Sequence, residues 1–168
     1  MPTKNKIQAP DGLQFKRHFT SPEVNVIDMF EYDYRTSVIR NPNGEIVFEM
    51  NNVEVPKQWS QIATDIIAQK YFRKAGIPQP DGSLGRETSA KQVAHRMANC
   101  WKVWGERYGY FASPEDAQVF YDELLYSILN QACVPNSPQW FNTGLYESYG
   151  IKGKPQGHYY VDQTDGQL

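Results

Sequence analysis

The chain holds only two cysteines, Cys100 and Cys133, too few for a disulfide framework. It has no Cys-x-x-Cys pair, and its three histidines, His18, His95 and His158, stand far apart. His95 and Cys100 fall on one expected helix, but five residues place them about 140° apart around its axis, too far to share a ligand. No metal site is therefore expected. Long apolar runs are missing too: none approaches the roughly 18–20 residues that a membrane-spanning helix needs. The N-terminus, MPTKNKIQAPDG, has lysines without a following apolar region, so it does not read as a secretory signal. The expectation is a cytoplasmic protein without a membrane partner. A basic surplus is absent as well. A formal net charge of -2 and a pI of about 5.9 argue against a nucleic-acid partner.

Signatures of nucleophilic and phosphate chemistry are equally scarce. There is no Gly-x-Ser-x-Gly elbow. GIKGKP at 150–155 lacks the upstream glycine of a phosphate loop and carries Pro where Ser or Thr is required. Cys100 reads as a small core residue, and Cys133 has no nearby cationic cluster to activate it, so neither is a candidate nucleophile. Lys70-Tyr-Phe-Arg-Lys74 reads as a helix end with dipole-matched cations rather than as a nucleic-acid patch.

What the chain does have is aromatic side chains: 11 Tyr, 8 Phe and 4 Trp, enough for a packed core or a large interface. Residues 1–33 read as an irregular arm that frays or lies across something else. Residues 36–50 read as a β-hairpin, with Asn-Pro-Asn-Gly at 41–44 as its turn. Three helices follow. The first is expected over 56–75, from Pro56 to Gly76, with Trp59, Ile62, Ala63, Ile66, Ile67 and Tyr71 as its apolar face. The second spans 89–108, with Ser89 and Gln92 at capping-box spacing and Val93, Met97, Cys100, Trp101, Trp104 and Tyr108 on one face. The third spans 114–131, capped by Ser113 with Pro114 in its first turn. The loop 76–87, rich in Pro and Gly, is the expected boundary or mobile connection. The fold class is mainly α with one β-hairpin (α+β), divided into an arm (1–33), a hairpin-plus-helix body (34–132) and a distinct final stretch (133–168).

The stretch CVPNSPQWFNTGLY, 133–146, carries the functional interest. Pro135 and Pro138 fix the backbone around Asn136 and Ser137, and Pro138 disfavours a helical Ser137. Two readings stand. In one, hydroxyl, amide and free N–H groups form a preorganised cradle for an anion such as a phosphate. In the other, Ser137 caps a helix that begins at Pro138, and Trp140 and Phe141 only pack.

Several segments in order resemble the N-terminal part of the adenosylcobalamin-dependent (class II) ribonucleotide reductases. They are GLQFKRHFT, FEMNNVEVPKQWSQIATDIIAQKYFRKAGIP, ETSAKQVAHRMANCWKVWG, GYFASPEDAQVFYDELLYSILNQ and PNSPQWFNTGLYESYGI, together covering most of 12–160. The resemblance implies an oxidoreductase that makes deoxyribonucleotides for DNA synthesis, with adenosylcobalamin generating the radical in the full enzyme. It implies that Asn136, Ser137 and Pro138 contact the ribonucleotide substrate, at its phosphate end, where a largely absent catalytic α/β barrel begins. The family's radical cysteine and redox cysteine pair lie beyond the matched region, and neither Cys100 nor Cys133 matches them. The chain alone is thus expected to be inactive and to bind no cofactor. It reads as an N-terminal piece or half of a split enzyme whose partner is the remaining polypeptide, with homo-oligomerisation left open. The alternative is a stand-alone nucleotide-binding or structural interaction module. The tail 150–168 is expected to be mobile.

Overall fold

A computed structural model describes residues 12–153. Two long strands, β1 (Tyr32–Arg40) and β2 (Ile46–Pro56), form an antiparallel hairpin. Its turn is the one the sequence predicts: the Gly44 N–H donates to Asn41 O at 2.8 Å, and Gly44 sits at φ 88°. The hairpin is longer than the expected 36–50. One irregularity falls where Arg35 pairs with Val53 and Ser37 with Met50, leaving an extra residue on β2 beside Asn52 at φ 57°.

The first helix departs from expectation. Pro56 ends β2, and α1 (Gln61–Ile66) begins only after Ser60, whose side chain accepts the Ala63 N–H. The helix then widens into a π-turn over Ile67–Tyr71, in which the Phe72 N–H reaches back five residues to Ile67 O at 2.9 Å. Arg73 and Lys74 therefore lie beyond the helix, not in its last turn. Pro56, Trp59, Thr64, Ile67, Ala68 and Phe72 are buried, whereas Ile62 is 71% exposed. Ser60 outcompetes Pro56 as a start because it satisfies an orphan N–H of the first turn.

The Pro/Gly loop contains a two-residue ladder, β3 (Ile77–Pro78) with β4 (Leu84–Gly85), and its Ile77 and Glu87 are fully buried. Helix α2 (Ala90–Tyr108) carries the expected capping box of Ser89 and Gln92 and ends at Gly109 in the left-handed region. Trp104 and Tyr108, expected on its buried face, are exposed. Helix α3 (Pro114–Leu129) is capped by Ser113, which accepts the Asp116 N–H. The two helices pack together, and Gly105 leaves room for the ring of Phe111 from the turn that joins them: a Cβ there would lie 2.2 Å from it.

Part of the N-terminal arm lies along α3. Leu13 exchanges backbone hydrogen bonds with Tyr110 and Ala112, and Arg17 pairs with Asp122 at 2.7 Å. The Glu123 carboxylate accepts the backbone N–H groups of His18, Phe19 and Thr20 and the Thr20 hydroxyl. The core gathers Val53 and Val55 from β2, Trp59 and Phe72 from the ends of α1, Val93 and Met97 from α2, and Leu125, Ile128 and Leu129 from α3. Each such side chain contributes about 1.5–3 kcal/mol of transfer free energy. The Trp59 indole N–H also donates to Leu129 O at 2.7 Å, satisfying one end carbonyl of α3.

Two short helices close the described chain, α4 (Ser137–Asn142) and α5 (Leu145–Tyr149). Of the tail, residues 154–168 lie outside the described residues, so the expected mobility there is not addressed.

Candidate functional site: a cleft beside helix α4

Trp140 is the anchor of α4. Its indole is buried in the core and donates to Pro135 O at 2.6 Å, which folds the Pro135–Pro138 turn over the ring. The helix starts one residue earlier than expected. Asn136 occupies the cap position with an extended backbone but makes no side-chain cap bond, and Ser137 and Pro138 fall in the first turn. Ser137 is thus not the cap. The steric preference against a helical residue before Pro138 is overridden because buried Trp140 fixes the helix from below.

Asn136, Ser137 and Pro138 are all exposed. Asn136 and Ser137 stand at the rim of an apolar cleft of about 400 Å³, floored by Trp59, Ile67, Ile128 and Trp140 and walled by Ala63 and Ile66. Tyr71, from the π-turn, forms the remaining edge. Its ring stacks on Trp140 at 5.5 Å and tilts against Phe141 at 5.2 Å. Its hydroxyl lies 2.9 Å from the Ser137 hydroxyl. The arrangement brings the three sequence-predicted residues together with an aromatic partner 66 positions away.

Behind the cleft sits an ion pair that sequence reasoning missed. Arg96 and Glu87 are both 0% exposed, and Arg96 Nε donates to Glu87 Oε1 at 2.8 Å. Nη1 donates to Thr143 O at 2.7 Å and Nη2 to Trp140 O at 2.6 Å, so one guanidinium satisfies the C-terminal carbonyls of α4. Nη2 also approaches Tyr71 O at 3.4 Å. Glu87 in turn accepts the Arg73 N–H at 2.7 Å and the Tyr149 hydroxyl at 3.0 Å. Burial, reinforced by the Glu87 carboxylate, pushes the Tyr149 phenol above its ordinary range, so it remains a donor. A signal was available: Arg96 lies three residues after Val93 and four before Cys100, an arginine on an apolar helical stripe.

Gly144 completes the turn between α4 and α5. It adopts φ 81°, and a Cβ would fall 1.9 Å from Arg96 O, so only glycine lets this backbone lie on α2. Beyond it, Glu147 accepts from the Cys100 thiol at 3.5 Å and from the Trp104 indole at 3.1 Å. Burial, then Glu147, push the Cys100 thiol up to about 12, which is the environment of an inert thiol. His95 Nδ1 lies 2.7 Å from the Tyr121 hydroxyl, and His158 lies outside the described residues. Among the described residues no group of three or more His, Cys, Asp or Glu is placed to hold a metal ion. None of their helices is long and apolar enough to cross a membrane.

The described residues form a helical module with one long hairpin that presents the segment Asn136, Ser137 and Pro138 on its surface. Residues 33–131 match the model of the class II vitamin B12-dependent ribonucleotide reductases. The chain belongs to that family and corresponds to the N-terminal region of its members. It is 44% identical to a vitamin B12-dependent ribonucleotide reductase of Bradyrhizobium diazoefficiens, over 93% of this chain and 15% of that protein. It is 41% identical to a protein of the same name from Agrobacterium fabrum, over 93% of this chain and 14% of that one. A counterpart in Streptomyces clavuligerus is 42% identical over 82% of this chain. The chain thus spans about 15% of the length of the curated relatives it matches.

Proposed function

We propose that the chain serves as the N-terminal module of an enzyme that reduces ribonucleotides to deoxyribonucleotides in the cytoplasm by adenosylcobalamin-initiated radical chemistry. The module itself carries no catalytic residue. Its relatives are named as vitamin B12-dependent reductases, which supports the cofactor for the complete enzyme. The described residues do not fit a cobalamin. The apolar cleft is about 400 Å³ and the groove beside Cys100 and Trp104 about 750 Å³. Both lie in the range of sites for drug-sized ligands, short of a corrin ring with its amide side chains and nucleotide loop.

The module contributes a body, residues 34–132, and the opening stretch of the catalytic barrel, 133–168, which α4 and α5 fasten to α2 through Arg96 and Gly144. The remainder of the reductase is its partner. Exposed Ile66 and Val134 of the cleft, with exposed Phe141 beside Tyr71, suit such a covering surface. Within the stretch, Asn136, Ser137 and Pro138 contact the phosphate end of the ribonucleotide. The observation that carries this reading is that the first turn of α4 faces solvent with no side chain capping it, while its far end is pinned by Arg96.

The test is the KM for ribonucleotide of Ser137→Ala and Pro138→Ala in the full-length enzyme. A hydrogen bond from the Ser137 hydroxyl to a charged phosphate is worth about 1.5–3 kcal/mol, so Ser137→Ala raises KM by about ten- to a hundredfold, whereas Pro138→Ala removes no donor and acts by loosening the backbone around Ser137, with a smaller rise. An unchanged KM in both variants overturns the assignment.

A further inference from the structure

We infer that Tyr71 is a positioning residue of the substrate segment, holding the Ser137 hydroxyl in place; the inference rests on the reading of Ser137 as a substrate contact. Three observations converge on Tyr71. Its hydroxyl lies 2.9 Å from the Ser137 hydroxyl, although 66 residues separate them. Its ring packs on both Trp140 and Phe141, with centroids at 5.5 and 5.2 Å, so two aromatic contacts hold the side chain that delivers the hydroxyl. It also closes a π-turn, a helical irregularity that recurs at functional sites. A π-turn rotates less per residue than an α-helix, so it changes which side of the helix the closing residue faces. In this chain that residue meets α4.

The backbone around both partners is tied to one group. Arg96 Nη2 donates to Trp140 O, three residues after Ser137, at 2.6 Å and lies 3.4 Å from Tyr71 O. Glu87, its ion-pair partner, accepts the Arg73 N–H two residues past Tyr71 at 2.7 Å. The separation of the two hydroxyl-bearing backbones is therefore set by the buried pair, and Tyr71 spans it. A free serine hydroxyl samples three staggered positions of its side chain. The Tyr71 bond selects one before a substrate arrives, which lowers the ordering cost of binding. Because the Tyr71 hydroxyl acts through Ser137, its removal is expected to act on affinity and leave turnover alone.

The experiment compares Tyr71→Phe, Ser137→Ala and the double variant in the full-length reductase, with KM, kcat and melting temperature read for each. Tyr71→Phe keeps the ring and its stacking. It is expected to raise KM about three- to tenfold, the worth of one net hydrogen bond, with kcat within about twofold of the parent. The double variant is expected to bind no more weakly than Ser137→Ala, since the two groups act as one. A raised KM for Ser137→Ala beside an unchanged KM for Tyr71→Phe overturns this inference and leaves the substrate reading standing. Additive effects in the double variant also overturn it, as do a lowered melting temperature and kcat at constant KM, the mark of a packing role. An unchanged KM for Ser137→Ala overturns the substrate reading, and this inference with it.

Discussion

Replacing Glu87 by Gln is the sharpest perturbation of the module, because it removes one charge and almost no volume. In the parent, Arg96 and Glu87 are both 0% exposed and 2.8 Å apart. The amide keeps an oxygen able to accept from Arg96 or from Arg73 N, but the guanidinium is left as an uncompensated buried charge. Breaking a buried pair in this way costs about 3–5 kcal/mol, of the order of a third or more of a domain's whole stability. Water has little room to compensate, since Trp140 O, Thr143 O and Tyr71 O already surround the guanidinium. With a urea m-value of about 1–3 kcal/mol per molar, the midpoint should fall by about 1–5 M. The assay is urea unfolding followed by fluorescence of the buried Trp59 and Trp140. Substituting both partners by apolar residues is neutral or stabilising in proteins where the pair serves only itself. Here it should remain destabilising, because Trp140 O, Thr143 O and Arg73 N would lose partners at about 1–3 kcal/mol for each group left unsatisfied. A Glu87→Gln midpoint within experimental error of the parent refutes this reasoning.

Two further outcomes follow from glycine packing and from carboxylate chemistry. Gly144→Ala should abolish cooperative thermal unfolding or lower stability by more than about 3 kcal/mol, because its Cβ would lie 1.9 Å from backbone. Gly44→Ala, with open space around a similar φ of 88°, should cost only about 1 kcal/mol, and equal effects at the two sites would contradict the argument. Burial raises the Glu123 carboxyl, but hydrogen bonds from the Thr20 hydroxyl and from the N–H groups of His18, Phe19 and Thr20 outweigh it and hold it below the ordinary range. The unfolded chain then binds more protons, so this contribution is present above the ordinary glutamate pKa and is lost as pH falls through the folded value. Amide exchange at Phe19 and Thr20 should lose protection in that acidic window; undiminished protection there would show that Glu123 does not hold the arm.

Local chemistry made much of this fold legible. Ser89 with Gln92, Ser113 with Pro114, and Asn-Pro-Asn-Gly each act within a few residues, and each sits where its side-chain chemistry places it. The first helix is legible only in part: its inward face runs through Thr64, Ile67 and Ala68 at α-helical spacing, so Ile67 falls where expected while Ile62 faces out, and beyond it the π-turn breaks the α-helical count and brings Phe72 inward. The segment around Ser137 was legible as special, through its prolines and the family resemblance, but its partners were not. Tyr71 reaches it across 66 residues, Arg96 through backbone carbonyls and Glu87 only through Arg96, and no local pattern encodes such meetings. Glu87 was hidden by its neighbours: a Pro/Gly loop reads as mobile even when its last residues are buried under Arg96.

The sharing of Arg96 has a consequence for how the module breathes. Segments near residues 71–73, at 87, at 140–143 and at 149 all meet at one cation or its counter-ion. Peeling any one of them away strands a polar group in a dry interior, so none has a cheap excursion of its own. They should behave as one cooperative opening unit, with amide exchange rates that rise and fall together under denaturant. Residues 13–20 of the arm, by contrast, are held by two backbone bonds at Leu13 and by side chains near the solvent margin, and can detach first, leaving the face that bears Tyr71 and Ser137 undisturbed.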